Sequence, residues 1–312
     1  MRVILVFILS FLPRVIQNPI LNLFGFKIAP KAKIGFCSLV WADELEMKNG
    51  ATIKPFSVLR SKSIVLQENA IISSLTLIKC TKVELGAYAK ISPFAIVMSG
   101  MEKTAVLTLG KHSQIFPFCW IEPGQGVFIG DDTGIGGHTL IFTHGSWSDF
   151  MRRGPVKYAP VHIGNHVWLP WRVFIMPGVS IGDDAIIAAG SVLSSNVEAG
   201  SLYGGMPAKL IKADIVGEQS PERRLKSAKK IVKDFIEQNP DQKIEINNCN
   251  KDSRVIFYTE KVSIEEIDRC LKLDLDVLDY QNKNYHSNMK SDIPFCFFVR
   301  KYGIRLSVVT QT

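Results

Sequence analysis

Long apolar runs are scarce in this chain of 312 residues. The one present, Val3 to Leu12 (VILVFILSFL), has ten residues, and ten helical residues cover only about half a bilayer. That length argues against a spanning helix. Pro13-Arg14 follows without a small-x-small cleavage pair, which argues against a removed signal peptide. Two roles are left as expectations: helices that cap the following domain, or helices that lie on a membrane surface. Paired cysteines are missing as well. The six cysteines (37, 80, 119, 249, 270 and 296) form no CxxC and no tight framework, so reduced thiols in a cytosolic setting are expected. No Lys/Arg run and no interleaved aromatic platform is present, which argues against nucleic acid despite a net charge of +8 and a pI near 9.1. That charge suits some other anionic partner. After Asp214 there are 17 basic and 15 acidic residues, so +2 lies there and +6 lies before it.

What the chain does have is a period of six. Ile163 to Glu198 divides into IGNHVW, LPWRVF, IMPGVS, IGDDAI, IAAGSV and LSSNVE. Each hexad opens on Ile or Leu and holds a small or β-branched residue at its fifth place. Six residues fit neither the 3.6 of a helix nor the 2 of an ordinary strand. They fit a triangular solenoid of three short strands and three turns per coil, with the opening aliphatic inside. From Ile28 the pattern is legible but worn. IAPKAK-IGFCSL-VWADEL is followed at Met47, Leu66 and Leu85 by further coils, and then by LGKHSQ-IFPFCW-IEPGQG and IGDDTG-IGGHTL-IFTHGS. The register breaks at Lys103 to Thr108 and slips at Val127-Phe128. It is lost over the sixteen residues Trp147 to His162, a length that in a regular solenoid points to function. Cys37 and Cys119 fall near fifth places and read as packing. About eight coils are expected between Ile28 and Glu198.

Beyond the GGMPAK turn, Ser220-Pro221 opens a helix with Leu225, Ala228, Val232, Phe235 and Ile236 on its apolar face, stopped at Asn239-Pro240. Strands are expected at Lys243 to Asn247 and Val255 to Glu260. Ser263-x-x-Glu266 reads as a capping box, and Phe295 to Arg300 with Ile304 to Val309 reads as a hairpin. The division is 1–27 apolar helical segment, 28–212 β-helix and 213–312 small α/β appendage. The appendage's sequence shows no chemistry, and acceptor recognition or assembly is its expected use.

IGNHVWLPWRVFIMPGVSIGDDAIIAAGSV followed by GGMPAK resembles the hexapeptide-repeat acyltransferases, and within them the xenobiotic, galactoside and polysaccharide O-acetyltransferases. The likeness is strong from Ile129 to Lys212, weaker before and absent after. It implies a mainly β, left-handed parallel β-helix, a homotrimer, and acetyl-CoA lying along the seam between subunits. His144, in IFTHGS before the long loop, matches the family's catalytic histidine, and imidazole suits removal of a hydroxyl proton. His138 lies one hexad earlier on another face and cannot be the same base. His112, His162, His166 and His286 read as structural. Trp168 matches a tryptophan that in polysaccharide O-acetyltransferases lies beside the histidine and meets the thioester, where an indole N–H can serve the oxyanion. Trp171 and Leu169-Pro170 depart from the family pattern. Ala188, Ala189, Gly190 and Ser191 match the pantetheine edge. Arg172, Pro207, Lys209 and Lys212 match the cofactor's phosphate and adenine segment.

The activity implied is O-acetyl transfer to a sugar hydroxyl of a cell-surface glycan, by a cytoplasmic protein that touches the inner face of a membrane. An N-acetyltransferase of an amino sugar or nucleotide sugar is the alternative. A non-catalytic solenoid is a further reading, opposed by the His–loop–Trp–PAK arrangement. The γ-type carbonic anhydrases share the scaffold but need three converging histidines, and His162 and His166 lack a third partner at coil spacing, so no metal is expected.

Overall fold

In the computed structural model the chain divides into two compact units, 1–216 and 217–312. The residues described are 2–100, 104–146, 150–152, 154–215, 217, 220–240, 244–248, 255–259, 262–272, 276–280, 284–287, 299, 304 and 307–310.

The first unit is a three-sided parallel β-helix. Strands two to four residues long pair in parallel with the strand one coil on. With the antiparallel strand Ala208–Lys212 added at the end of the second, the sheets hold eight, ten and eight strands. The hexad openers point inward. On the first sheet they are Ile28, Met47, Leu66, Leu85, Leu109, Ile129, Ile163 and Ile181. Ile34, Ile53, Ile72, Ile91, Ile115, Ile135, Leu169 and Ile187 serve the second sheet. Val40, Leu59, Ile78, Val97, Ile121, Ile141, Ile175 and Leu193 serve the third. All are buried. A single column of aliphatic side chains thus fills the prism, each layer covered by the next.

The turns follow from the same period. At the first-to-second and second-to-third corners, the hexad's fourth residue takes a left-handed φ: 62° at Phe56 and Phe118, 58° at His138, 53° at Asp132, 62° at Arg172. For residues other than glycine that conformation costs about 1–2 kcal/mol each. Many of these N–H groups are hydrogen-bonded to a carbonyl of the coil below, as Phe56 to Phe36, His112 to Ala87, His166 to Asp131 and Arg172 to Gly137. That bond offsets the strain and holds the turns in line. Fifth places such as Ala51, Ser57, Ala70, Ala95 and Ser113 are fully buried, which explains their small size.

Between inward positions these two corners always take six residues, and the third corner does not. From the third sheet back to the first the step is seven at 40–47, 59–66 and 78–85. It is twelve at 97–109, eight at 121–129, twenty-two at 141–163 and six at 175–181. Every irregularity of the repeat is thereby placed on one vertex. The expected breaks are corrected in detail: Val106–Leu109 and Val127–Ile129 are strands of the first sheet, and the added residues lie just before them. The strand after the long loop begins at Val161, before the first clean hexad.

Two helices, α1 (Arg2–Leu9) and α2 (Arg14–Leu23), close the first coil. Val6, Leu9 and Leu21 join the prism core. Gln17 and Asn18 are buried, and their side-chain amides donate to the carbonyls of Leu9, Ala29 and Ala32. Ile8, Phe11, Val15 and Leu23 face outward. No described helix is long and apolar enough to cross a membrane.

The second unit has a five-stranded mixed sheet ordered 244–246, 255–258, 276–279, 284–287, 307–310, with the first three strands parallel. Helix α3 (Pro221–Gln238) starts as expected, Ser220 Oγ accepting from the Arg223 N–H at 3.3 Å. Its Ala228, Ile231, Val232 and Phe235 pack with Phe257, Leu278 and Tyr285. Helix α4 (Ile264–Lys272), capped by Ser263, packs Ile267 and Cys270 with Ile256, Tyr258 and Val277. The two helices therefore cover opposite faces of the sheet. Strands 276–279 and 284–287 were not expected. The expected hairpin's first strand, 295–300, lies outside the described residues but for Val299. Its second is a strand at Ser307–Thr310, parallel to 284–287.

Candidate active site

The irregular corner gathers a buried carboxylate and a half-exposed histidine. Trp120–Glu122 is a strand of the third sheet, and by alternation Glu122 should face outward as Trp120 does. It is nevertheless buried, because the chain one coil on covers it. His144 Nδ1 lies 2.8 Å from Glu122 Oε2. The Thr143 hydroxyl is 2.8 Å from the same oxygen, and the Gly124 N–H donates to Oε1 at 3.1 Å. The Ser99 side chain is a further donor. Burial alone would raise the Glu122 pKa. The hydrogen bonds from Ser99, Thr143 and His144, with the charge of His144, outweigh it and hold the group below its ordinary value.

A carboxylate accepts only, so the hydrogen bond assigns a proton to Nδ1 of His144, and Nε2 is the ring nitrogen left to exchange a proton with a substrate. Ring orientation is held from the other side too. His144–Gly145 pairs antiparallel with Lys157–Tyr158, turning the long loop back on itself. The Tyr158 ring stacks on the imidazole at a centroid distance of 5.7 Å and 15° between planes. Tyr158 Oη is itself 2.6 Å from Ser146 Oγ. The Ala159 N–H donates to the Thr143 carbonyl at 3.0 Å. Glu122 and Tyr158 were missed in the sequence. Their signal was an acid beside an inward opener, one coil before the histidine, and a tyrosine inside the loop.

Trp168 starts the strand Trp168–Leu169 on the second sheet, exposed and edge-on to Phe116 at 6.0 Å. The irregular corner joins the third sheet to the first, so it is the vertex opposite the second sheet. One chain therefore does not bring His144 and Trp168 together. The remaining candidates gather on the Trp168 side. Ile186 pairs with Trp168, and Ala188 to Ser191 follow it. The Ala188 N–H donates to the Tyr203 carbonyl at 2.8 Å, and Ser191 Oγ accepts from the Gly205 N–H at 3.1 Å. Pro207, Lys209 and Lys212 lie on the exposed turn and second strand of the hairpin Leu202–Gly205/Ala208–Lys212 that extends the second sheet. Arg172 is exposed at the next corner, beside Trp171, whose ring lies 5.9 Å from that of His138.

The other histidines belong to ladders. His138 stacks on Phe118 and His162 on Phe128. His112 Nδ1 is 3.5 Å from Asp132 Oδ1, and His166 lies between Asp132 and Asp184 at 3.7 and 3.4 Å. His286 lies on the strand 284–287.

The family described as bacterial transferase hexapeptide (six repeats) matches residues 160–195. A probable macrolide acetyltransferase of Lysinibacillus sphaericus is 60% identical over 50 residues, covering 16% of this chain and 28% of that protein. The galactoside O-acetyltransferase of Escherichia coli is 35% identical over 132 residues, covering 35% of this chain and 65% of that protein. Among solved structures, a hexapeptide-repeat acetyltransferase of Vibrio cholerae complexed with acetyl-CoA is 30% identical, over 42% of this chain and 70% of that one, with a TM-score of 0.38. The chain spans less than two thirds of the length of these curated relatives.

Proposed function

We propose, from the premise that this chain belongs to the hexapeptide-repeat acyltransferase family, that it transfers an acetyl group from acetyl-CoA to a sugar hydroxyl, with His144 as the base. The carrying observation is the 2.8 Å bond from His144 Nδ1 to a buried carboxylate that is held ionised. In this reading Nε2 takes the hydroxyl proton as the alkoxide oxygen bonds to the thioester carbonyl carbon. Glu122 stabilises the imidazolium that forms. The tetrahedral adduct then expels the coenzyme A thiolate, which takes the proton back from Nε2, leaving a sugar acetate ester and free thiol. The base contributes about 10²- to 10⁴-fold.

Trp168, Arg172, the Ala188–Ser191 edge, Pro207, Lys209 and Lys212 form the coenzyme A wall in this proposal. Since that wall is opposite the vertex bearing His144, a complete site takes its base from one copy and its wall from another. An apolar outer row on the third sheet supports such association: Trp120 and Leu140, paired across coils, are exposed at 44% and 36%. A homotrimer is the assembly proposed. A glycan acceptor and peripheral attachment to the inner face of a membrane complete the reading. The outward Phe11, Val15 and Leu23 support the attachment, as does the lack of any acidic residue before Asp43.

His144→Ala should lower turnover by about 10²- to 10⁴-fold while coenzyme A still binds. Thiol release and calorimetry on the same preparation measure both. Near-normal turnover in that variant would remove His144 from the role.

A further inference from the structure

The second unit holds a cleft of about 280 Å³ that the reading above does not use. It lies between α3 and the sheet, at a particular edge. Strands 255–258 and 276–279 run parallel, and Thr259 and Tyr280, which line the cleft, are the residues immediately after their carboxyl ends. In open α/β sheets that edge is where ligands are held, because the strands stop there and the connecting segments diverge. Thr259 is buried, and its backbone N–H is fixed by Asn247 Oδ1 at 2.8 Å. Phe257 lies at the floor, and Arg224, Ser227 and Lys230 of α3 form the wall.

The chemistry of that lining is specific. Among the described residues the lining carries two cations, the hydroxyls of Ser227 and Tyr280 and the ring of Phe257, with no carboxylate. The Thr259 hydroxyl is engaged by the Asn247 side chain. Asp279, next to Tyr280, is buried in the sheet. Between Glu222 and Lys233, α3 carries Arg223, Arg224, Lys226, Lys229, Lys230 and Lys233 against the single acid Glu222. Such a wall draws anions, and a planar guanidinium pairs with a carboxylate or phosphate through two parallel bonds. Hydroxyls above an apolar floor suit a ring with hydroxyls on its rim. A volume near the low end for ligand sites suits one ring rather than a chain of them. We infer that this cleft binds an anionic monosaccharide, the acid group against Arg224 and Lys230 and the ring over Phe257. Neither the His144 assignment nor acetyl transfer is needed for this inference.

The test is calorimetric titration of the full chain at low salt with glucose 6-phosphate, glucuronate, glucose and inorganic phosphate. The first two should bind at least tenfold more tightly than the last two. Arg224→Gln and Lys230→Gln should each weaken that binding at least tenfold. Lys226→Gln, on the same helix outside the lining, should change it less than twofold. Ser227→Trp should block the cleft, with the circular dichroism spectrum and acetyl-CoA hydrolysis unchanged. Phosphate binding as well as glucose 6-phosphate would overturn the sugar part of the inference. An equal loss in Lys226→Gln would reduce the site to diffuse charge, and no binding by wild type would remove it. Sugar binding retained in a protein without hydrolysis would leave this inference standing while the acetyl-transfer reading fell.

Discussion

Two corners of the prism never vary in length, and the third varies from six residues to twenty-two between inward positions. At the constant corners a left-handed residue hydrogen-bonds down to the coil below in turn after turn, and any insertion would misalign every later layer. At the variable corner the strands have already paired, so added residues bulge outward without disturbing the core. Ser99, Glu122, Thr143 and His144 all sit on that corner. The comparison teaches a division of labour: the repeat supplies rigidity, and its interruption is where side chains are free to be placed for something other than packing.

The largest effect should come from breaking that division directly. One glycine inserted after Phe56, at a constant corner, should abolish cooperative folding or lower the thermal midpoint by tens of degrees, because it moves inward side chains out of register. The same glycine inserted between Ser61 and Lys62, at the variable corner, should cost no more than about 1 kcal/mol, in line with the tolerance of surface loops to lengthening. Thermal unfolding by circular dichroism separates the two. Equal damage at both positions would contradict the comparison.

Next in size is Glu122→Gln. It keeps the shape of the buried group but removes the charge facing His144, and turnover should fall by about 10- to 100-fold with little change in coenzyme A affinity. A pH signature accompanies it. The folded-state pKa of Glu122 lies below its unfolded value, so its stabilisation is present above the unfolded pKa and disappears as pH falls through the folded one. The stability gap between wild type and Glu122→Gln should be full at neutral pH and close at pH well below 4. A gap that widened on acidification would show that the carboxylate is not held ionised.

The smallest effect concerns a constant corner by itself. Leu75 has φ 58° and a side chain exposed at 50%, in the column between Phe56 and Phe94. Replacing it with glycine relieves about 1–2 kcal/mol of backbone strain and costs about 1 kcal/mol of unfolded-state entropy. Leu75→Gly should therefore be neutral to slightly stabilising in chemical denaturation.

The prism was largely legible in the sequence because its rule is local. An opener such as Ile34 or Ile115 announces itself six residues after the last, and the worn coils keep the openers even where other places drift. Glu122 was not legible, since an acid next to an opener looks like an ordinary solvent-facing residue. Only the return of Thr143 and His144 one coil later makes it buried, and that contact is not periodic. Tyr158 was hidden for the same reason, inside a loop with no repeat. In the second unit, Asp276 and Asp279 bracket a strand whose last residue is a buried acid, and Tyr285 is a lone aromatic between polar neighbours. Neither segment shows the alternation that signals a strand, because long-range pairing rather than a local pattern puts them in the sheet.

The central claim is that the irregular corner supplies the base and the second sheet of another copy supplies the coenzyme A wall. Co-expression of His144→Ala with Trp168→Ala chains, each inactive alone, tests it. In mixed trimers about a quarter of seams would pair an intact His144 with an intact Trp168, so activity should return to about a quarter of wild type. Activity no higher than that of either variant alone, in assemblies shown to contain both chains, would contradict the account.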